Sequence, residues 1–192
     1  MRRRRTFKNL IFALPLLMPA FSAAQPAPID GARSTVTVRV YKTGLFSGLA
    51  HNHIIKAPIA SGAIDREARA VALTFNVADL QLADTEGSES DHKEIDATMK
   101  GPKVLDAVQF PVVTFNSKRV DVVGQDTYKV TGELKLHGVV REITVPVTGS
   151  LGTFKGSVSL KQTDYAIAPV KIAGGAVSVK NDIDISFEIV IR

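Results

Sequence analysis

From Ala32 to the C-terminus the hydropathy of this chain repeats every two residues, and that period restricts the fold more than any other feature. The cleanest run closes the chain. Val177, Val179, Ile183, Ile185, Phe187, Ile189 and Ile191 alternate with Ser178, Lys180, Asp182, Asp184, Ser186 and Glu188. Successive side chains of a strand point to opposite faces, so strict alternation means one apolar and one wet face. The same pattern runs through Ser34–Lys42, Ala70–Val77, Tyr128–Leu136 and Phe154–Leu160, and less cleanly through Val112–Val122 and Val139–Thr148. His51–Ile59 makes an eighth strand.

Turn residues separate the runs at Gly124-Gln-Asp126, His137-Gly138, Gly149-Ser-Leu-Gly152 and Gly174-Gly175. Short connections make neighbouring strands antiparallel. Eight such strands hide their edges by closing, so the sequence predicts an all-β, antiparallel, eight-stranded β-barrel, with a sandwich as the alternative. Gly132 and Gly156, inside strands, suit bends in a barrel wall.

One segment breaks the period. Ser88–Lys100, "SESDHKEIDATMK", is polar and opens with Ser88-x-x-Asp91, which resembles a capping box. Ile95 and Met99 lie four apart on one face, and Gly101-Pro102 stops the run. The expectation is a short helix over one barrel opening, with Ile95 and Met99 facing down.

The N-terminus reads as a targeting segment. Arg2–Arg5 and Lys8 form a basic region, Leu10–Phe21 an apolar one, and Ser22-Ala23-Ala24 supplies small residues before a cut ahead of Gln25. That is the pattern of a secretory signal peptide over residues 1–24. The apolar stretch is shorter than the ~20 residues of a spanning helix. "RRTFK" also resembles a twin-arginine signal, so Sec and twin-arginine export both stay open. Residues 25–31, "QPAPIDG", read as a flexible leader, and 32–192 as one domain.

Charge narrows the function. Five of the 24 basic residues and none of the 19 acidic ones fall in residues 1–24, which leaves 19 against 19. A neutral chain carries no broad footprint for nucleic acid and no polybasic patch for anionic lipid. The chain has no cysteine, hence no disulfide or thiolate.

The four histidines need weighing. His51 and His53 share one face of a strand, about 6.6 Å apart by strand geometry, a spacing that permits a shared metal. No H-x-x-x-H or H-E-x-x-H spacing accompanies them, and polar residues at a strand end are the simpler reading. His137 sits at a turn, and His92 on the polar helix. Lys161-Gln-Thr-Asp164-Tyr165 follows a strand, where a local hydrogen bond competes with ligand contact. Nucleophile signatures such as G-x-S-x-G and S-x-x-K are missing, so no catalytic residue, cofactor or metal is assigned. An eight-stranded barrel is either filled by side chains or holds one small ligand.

Four stretches resemble the YceI-like family of bacterial exported proteins: "TGLFSGLAHNHII" (Thr43–Ile55), "ATMKGPKVLDAVQFPVVTFNS" (Ala97–Ser117), "YKVTGELKLHGVVREITVPV" (Tyr128–Val147) and "LKQTDYAIAPVKIAGGAVSVKNDIDISFEI" (Leu160–Ile189). Ser90-Asp91-His92 stands where the family commonly has an Arg-Asp pair, and Ala166 where it commonly has Gly. The resemblance implies a lipocalin-like barrel, a periplasmic location and non-enzymatic binding of a polyisoprenoid, quinone-like or other amphiphilic lipid. On that reading the tail lies along Phe75, Phe115, Leu134, Leu136, Phe154, Val158, Ile185 and Phe187, under Ile95 and Met99. His51, His53, His137, Asp164 and Tyr165 are the polar candidates. No nucleic acid and no stable membrane insertion after signal removal are expected, and a homodimer stays open. The competing reading is a metal-responsive or redox accessory protein built on the histidines.

Overall fold

The computed structural model describes residues 25–44, 52–172 and 176–192. The expected signal segment, His51 and the expected turn at Gly174-Gly175 therefore lie outside the described residues.

The strands are β1 (Ala27–Pro28), β2 (Thr35–Thr43), β3 (His53–Lys56), β4 (Ser61–Asp65), β5 (Ala70–Asn76), β6 (Gln81–Leu82), β7 (Val112–Gly124), β8 (Thr127–Leu136), β9 (Val139–Ser150), β10 (Thr153–Lys161), β11 (Lys171–Ile172) and β12 (Val177–Val190). The helix α1 spans Glu89–Lys100, and 3-10 turns cover Val77–Asp79 and Gln162–Tyr165. One sheet runs in the order β1-β4-β5-β7-β8-β9-β10-β12-β2-β3-β6, with β11 added beside β12. Every pairing is antiparallel. The sheet curls into a half-barrel, and main-chain bonds tie its flanks. Ala57 N–H donates to Val36 O and Ala60 N–H to Thr74 O, so residues 57–60 cross from β2 to β5. At the other flank Ile29 bridges Ile191, and Arg192 N–H donates to Pro28 O.

The expected count of eight strands is corrected to twelve among the described residues. The seven alternating runs and part of the expected strand 51–59 form strands, and β4 is new. The additions β1, β6 and β11 are two residues long, too short to show a period. The expected strand over residues 51–59 is cut short, because Pro58 lacks the N–H a ladder needs. The chain turns there and resumes as β4. Residues 27–29, expected in a flexible leader, pair with the sheet. Ile29 is 6% exposed and packs on the bare face of Gly62, where a Cβ would lie 2.9 Å from Ile29 Cδ1.

The helix forms where expected. Ser88 accepts from Asp91 N–H, and the Asp91 carboxylate accepts from Ser88 N–H, a complete capping box. Hydrogen bonds from Ser88 hold the Asp91 carboxyl below its ordinary range. The strand glycines have a common use. At Gly132 a Cβ would lie 2.7 Å from Phe115 Cζ, and at Gly156 2.5 Å from Phe187 Cζ. Each glycine lets an aromatic ring lie down on the inner wall. The outer wall is polar. Asp184 accepts from Ser159 Oγ at 2.5 Å and from Tyr41 Oη at 2.7 Å.

Candidate functional site

The curled sheet encloses a cavity of about 570 Å³. Its wall is built from the inward members of each alternating pair, so apolar residues dominate it. Phe75, Phe115, Leu134, Leu136, Phe154, Val158, Ile185 and Phe187 all line it, as does Met99 from α1. Several of these, Leu136, Phe154, Val158, Ile185 and Phe187 among them, are only half-buried. They pack against the buried cluster around Phe115, Val130 and Leu134 and keep accessible surface where they face the cavity.

The rest of the expected set divides. Ile95 is half-buried and does not line the cavity; the lid face of α1 reaches the interior through Met99 at its C-terminal turn. Tyr165 lines the cavity with its ring, but Asp164 is exposed and supplies a main-chain oxygen to Arg141 Nε at 3.0 Å. His137 Nδ1 donates to Tyr165 O at 3.1 Å, and its ring meets Phe110 edge-on at 4.5 Å. These contacts brace the β8–β9 turn against the 3-10 turn at Gln162–Tyr165. His53 Nδ1 lies 2.6 Å from Asp84 Oδ2, a carboxylate whose side chain is 4% exposed. Asp84 Oδ1 also accepts from Ile54 N–H, so the pair fastens the chain after β6 to β3. His92 Nε2 donates to Glu86 O at 2.7 Å. The three described histidines thus serve three different local bonds. No group of three or more His, Cys, Asp or Glu is placed to hold a metal ion among the described residues.

Sequence reading missed part of the wall. Val38, Val40, Leu73, Val113, Val130 and Val145 also line the cavity, and their signal was present as same-face neighbours in the alternating runs. Val104 and Leu105 line it from the loop after α1, where no period could have flagged them. Arg66, Arg69, Asp126 and Leu151 line one end from hairpin turns.

Tyr165 has a further peculiarity. The residue is 2% exposed, and its hydroxyl is sealed with no hydrogen-bond partner among the described residues. Burial, followed by the neighbouring Asp164 carboxylate, pushes its phenol above the ordinary range.

A curled antiparallel sheet around an apolar cavity, with one helix at an end, places the chain among calyx-like all-β proteins. Within that class it belongs to the YceI-like domain family, whose model matches residues 28–191. Curated relatives include a UPF0312 protein of Azotobacter vinelandii, 31% identical over 93 residues that cover 43% of this chain and 48% of that protein. Another, from Pseudomonas savastanoi pv. phaseolicola, is 32% identical over 109 residues, covering 52% and 55%. The chain spans about half the length of the curated relatives it matches. Among solved structures, Burkholderia cenocepacia BcnA has the same fold at 23% identity and a TM-score of 0.62, over 84% of this chain and 98% of that one. The Campylobacter jejuni YCEI protein follows at 19% identity and 0.52, covering 72% and 81%.

Proposed function

We propose that the protein is a non-enzymatic carrier that takes the tail of a polyisoprenoid, quinone-like or other amphiphilic lipid into its cavity, in the periplasm. The observation that carries this reading is the apolar cavity of about 570 Å³ at the centre of a YceI-like sheet. That volume sits within the range of small-molecule sites, about 300–1,000 Å³. Each buried methylene contributes about 0.8 kcal/mol, against an association cost of about 4–15 kcal/mol. A tail of fifteen carbons therefore gains roughly 12 kcal/mol before that cost, and affinity climbs with chain length until the cavity is full. Export through the N-terminal signal puts the carrier where membrane-derived lipids are within reach.

The test is to express the chain with its leader, recover it from the periplasm and run native mass spectrometry beside lipid extraction. A co-purifying prenyl or acyl lipid, on a chain that begins at Gln25, is the expected result. Empty protein that also takes up no added prenyl lipid would overturn the reading. The metal-accessory alternative draws no support from the described histidines, each committed to its own local partner.

A further inference from the structure

The two ends of the cavity differ in chemistry. At the helix end the polar groups are already engaged. Lys161 Nζ pairs with Asp182 at 2.9 Å, Gln162 Nε2 donates to Lys180 O at 2.8 Å, and the Tyr165 hydroxyl is sealed from any visitor. At the opposite, hairpin end, the β4–β5 turn brings Arg66 and Arg69 to the cavity wall. Both are exposed, and neither guanidinium has a hydrogen bond or ion pair among the described residues.

Geometry keeps these arginines at the mouth. A Cβ on Gly152 would lie 3.9 Å from Arg66 Nη2, so Arg66 reaches from its own turn to the β9–β10 turn. Arg69 has φ 51°, and so have Asp126 and Leu151 on the two facing turns. For an L-residue that left-handed backbone costs about 1–2 kcal/mol. Leu151 lines the cavity yet is fully exposed at 102%, so the cavity reaches solvent here. Two carboxylates share the rim. Asp65 Oδ1 accepts from Ala68 N–H at 2.8 Å and keeps its charge. Asp126 has no side-chain hydrogen bond or ion pair among the described residues. The rim therefore carries two guanidiniums and two carboxylates, with Glu67 between the arginines, and of these only the guanidiniums can donate to a visiting anion.

We infer that Arg66 and Arg69 form a head-group site for an anionic oxyacid, a phosphate or carboxylate, carried by the amphiphile whose tail occupies the cavity. The inference rests on the carrier reading and adds an orientation to it, with the head at the hairpin end and the tail running toward α1. Guanidinium forks match phosphate and carboxylate oxygens in a bidentate way, and the apolar wall below them takes the tail. Asp65 and Asp126 oppose the anion and limit the charge the site accepts.

The experiment measures Kd of the exported protein for farnesyl phosphate, farnesoic acid, farnesol and inorganic phosphate by titration calorimetry. Either anionic amphiphile is expected to bind about tenfold or more tighter than farnesol, one charged hydrogen-bond pair being enough for that ratio. The phosphate-to-carboxylate ratio tells which oxyacid the site prefers. R66A and R69A should each reduce the preference, and the double variant should abolish it, bringing both anions to the affinity of farnesol. D126N should tighten farnesyl phosphate several-fold, a gain that misfolding cannot produce. Equal binding of farnesol and the two anions by the native protein would overturn the head-group site and leave the carrier standing. So would a double variant that keeps its preference, or inorganic phosphate binding as tightly as farnesyl phosphate. Binding of none of the amphiphiles would overturn the carrier reading and the head-group site with it.

Discussion

Replacing Tyr165 by Phe should stabilise this protein, against the usual sign of such a change. A Tyr→Phe substitution that removes a hydrogen bond costs about 1 kcal/mol. Here the hydroxyl is sealed and has no partner among the described residues, so the folded state bears its desolvation, about 1–3 kcal/mol. Phe keeps the ring that lines the cavity and leaves behind only the space of one oxygen, a small packing loss. The net expectation is a gain of about 1 kcal/mol, which for a domain of this size is about 2–4 °C in Tm. Alkaline pH supplies a second readout. The folded-state phenol titrates above its ordinary value of 10.0 because burial disfavours the phenolate. Above that pH the unfolded chain releases the proton first. The stability is fully present below the unfolded pKa and is lost as pH rises through the folded one, at up to about 1.4 kcal/mol per pH unit. Y165F removes that loss, so its advantage in thermal melts should widen above pH 10. A Tm lowered by 2 °C or more, with no divergence at alkaline pH, would refute the reasoning and show that the hydroxyl has a partner.

Other outcomes test the rest of the structure. G156A should destabilise by about 1–3 kcal/mol, since its Cβ would meet both Phe187 Cζ and Pro146 O. Chemical denaturation reads that loss, and reduced prenyl-lipid uptake should accompany it as the Phe187 ring is pushed inward. S88A removes the hydroxyl half of the capping box and should cost about 1 kcal/mol, visible as faster amide exchange in the first turn of α1 while the sheet keeps its protection. Asp184 is held below the ordinary carboxylate pKa by Ser159 first and Tyr41 second. Its contribution is present above the unfolded value of 3.8 and is lost as pH falls through the folded one, so D184N should flatten the acid limb of a Tm-versus-pH curve below about pH 4; an unchanged limb would count against the Ser159–Asp184–Tyr41 network.

Two of these tests separate wall from mouth. Gly156 acts where the tail would lie, and Arg66 and Arg69 where the head would. A lipid lost by G156A but retained by R66A locates the binding energy in the apolar wall, which is where most of it should reside if chain length controls affinity.

The alternating runs determined, without any coordinates, that the chain is an antiparallel all-β protein. They also picked the inward face correctly, because a strand has only two faces and the apolar one must leave water. Phe75, Phe115, Leu134, Leu136, Phe154, Val158, Ile185 and Phe187 line the cavity for that reason. The capping box was legible too, because it is a local bond across three residues. What alternation cannot say is whether an inward face meets another side chain or an empty volume, since both look equally apolar in one dimension. The cavity of about 570 Å³ depends on the curl of the whole sheet. The polar site was least legible. Two of the histidines that drew notice in the sequence have partners distant in the chain, His53 at Asp84 31 residues away and His137 at Tyr165 O 28 residues away, while His51 lies outside the described residues. Asp126 and Leu151 drew notice only as turn residues, and Arg66 and Arg69 drew none, because turn residues look ordinary one at a time. Only the antiparallel register brings three separate hairpin turns to one end of one cavity, and long-range pairing of that kind is a property of the tertiary fold.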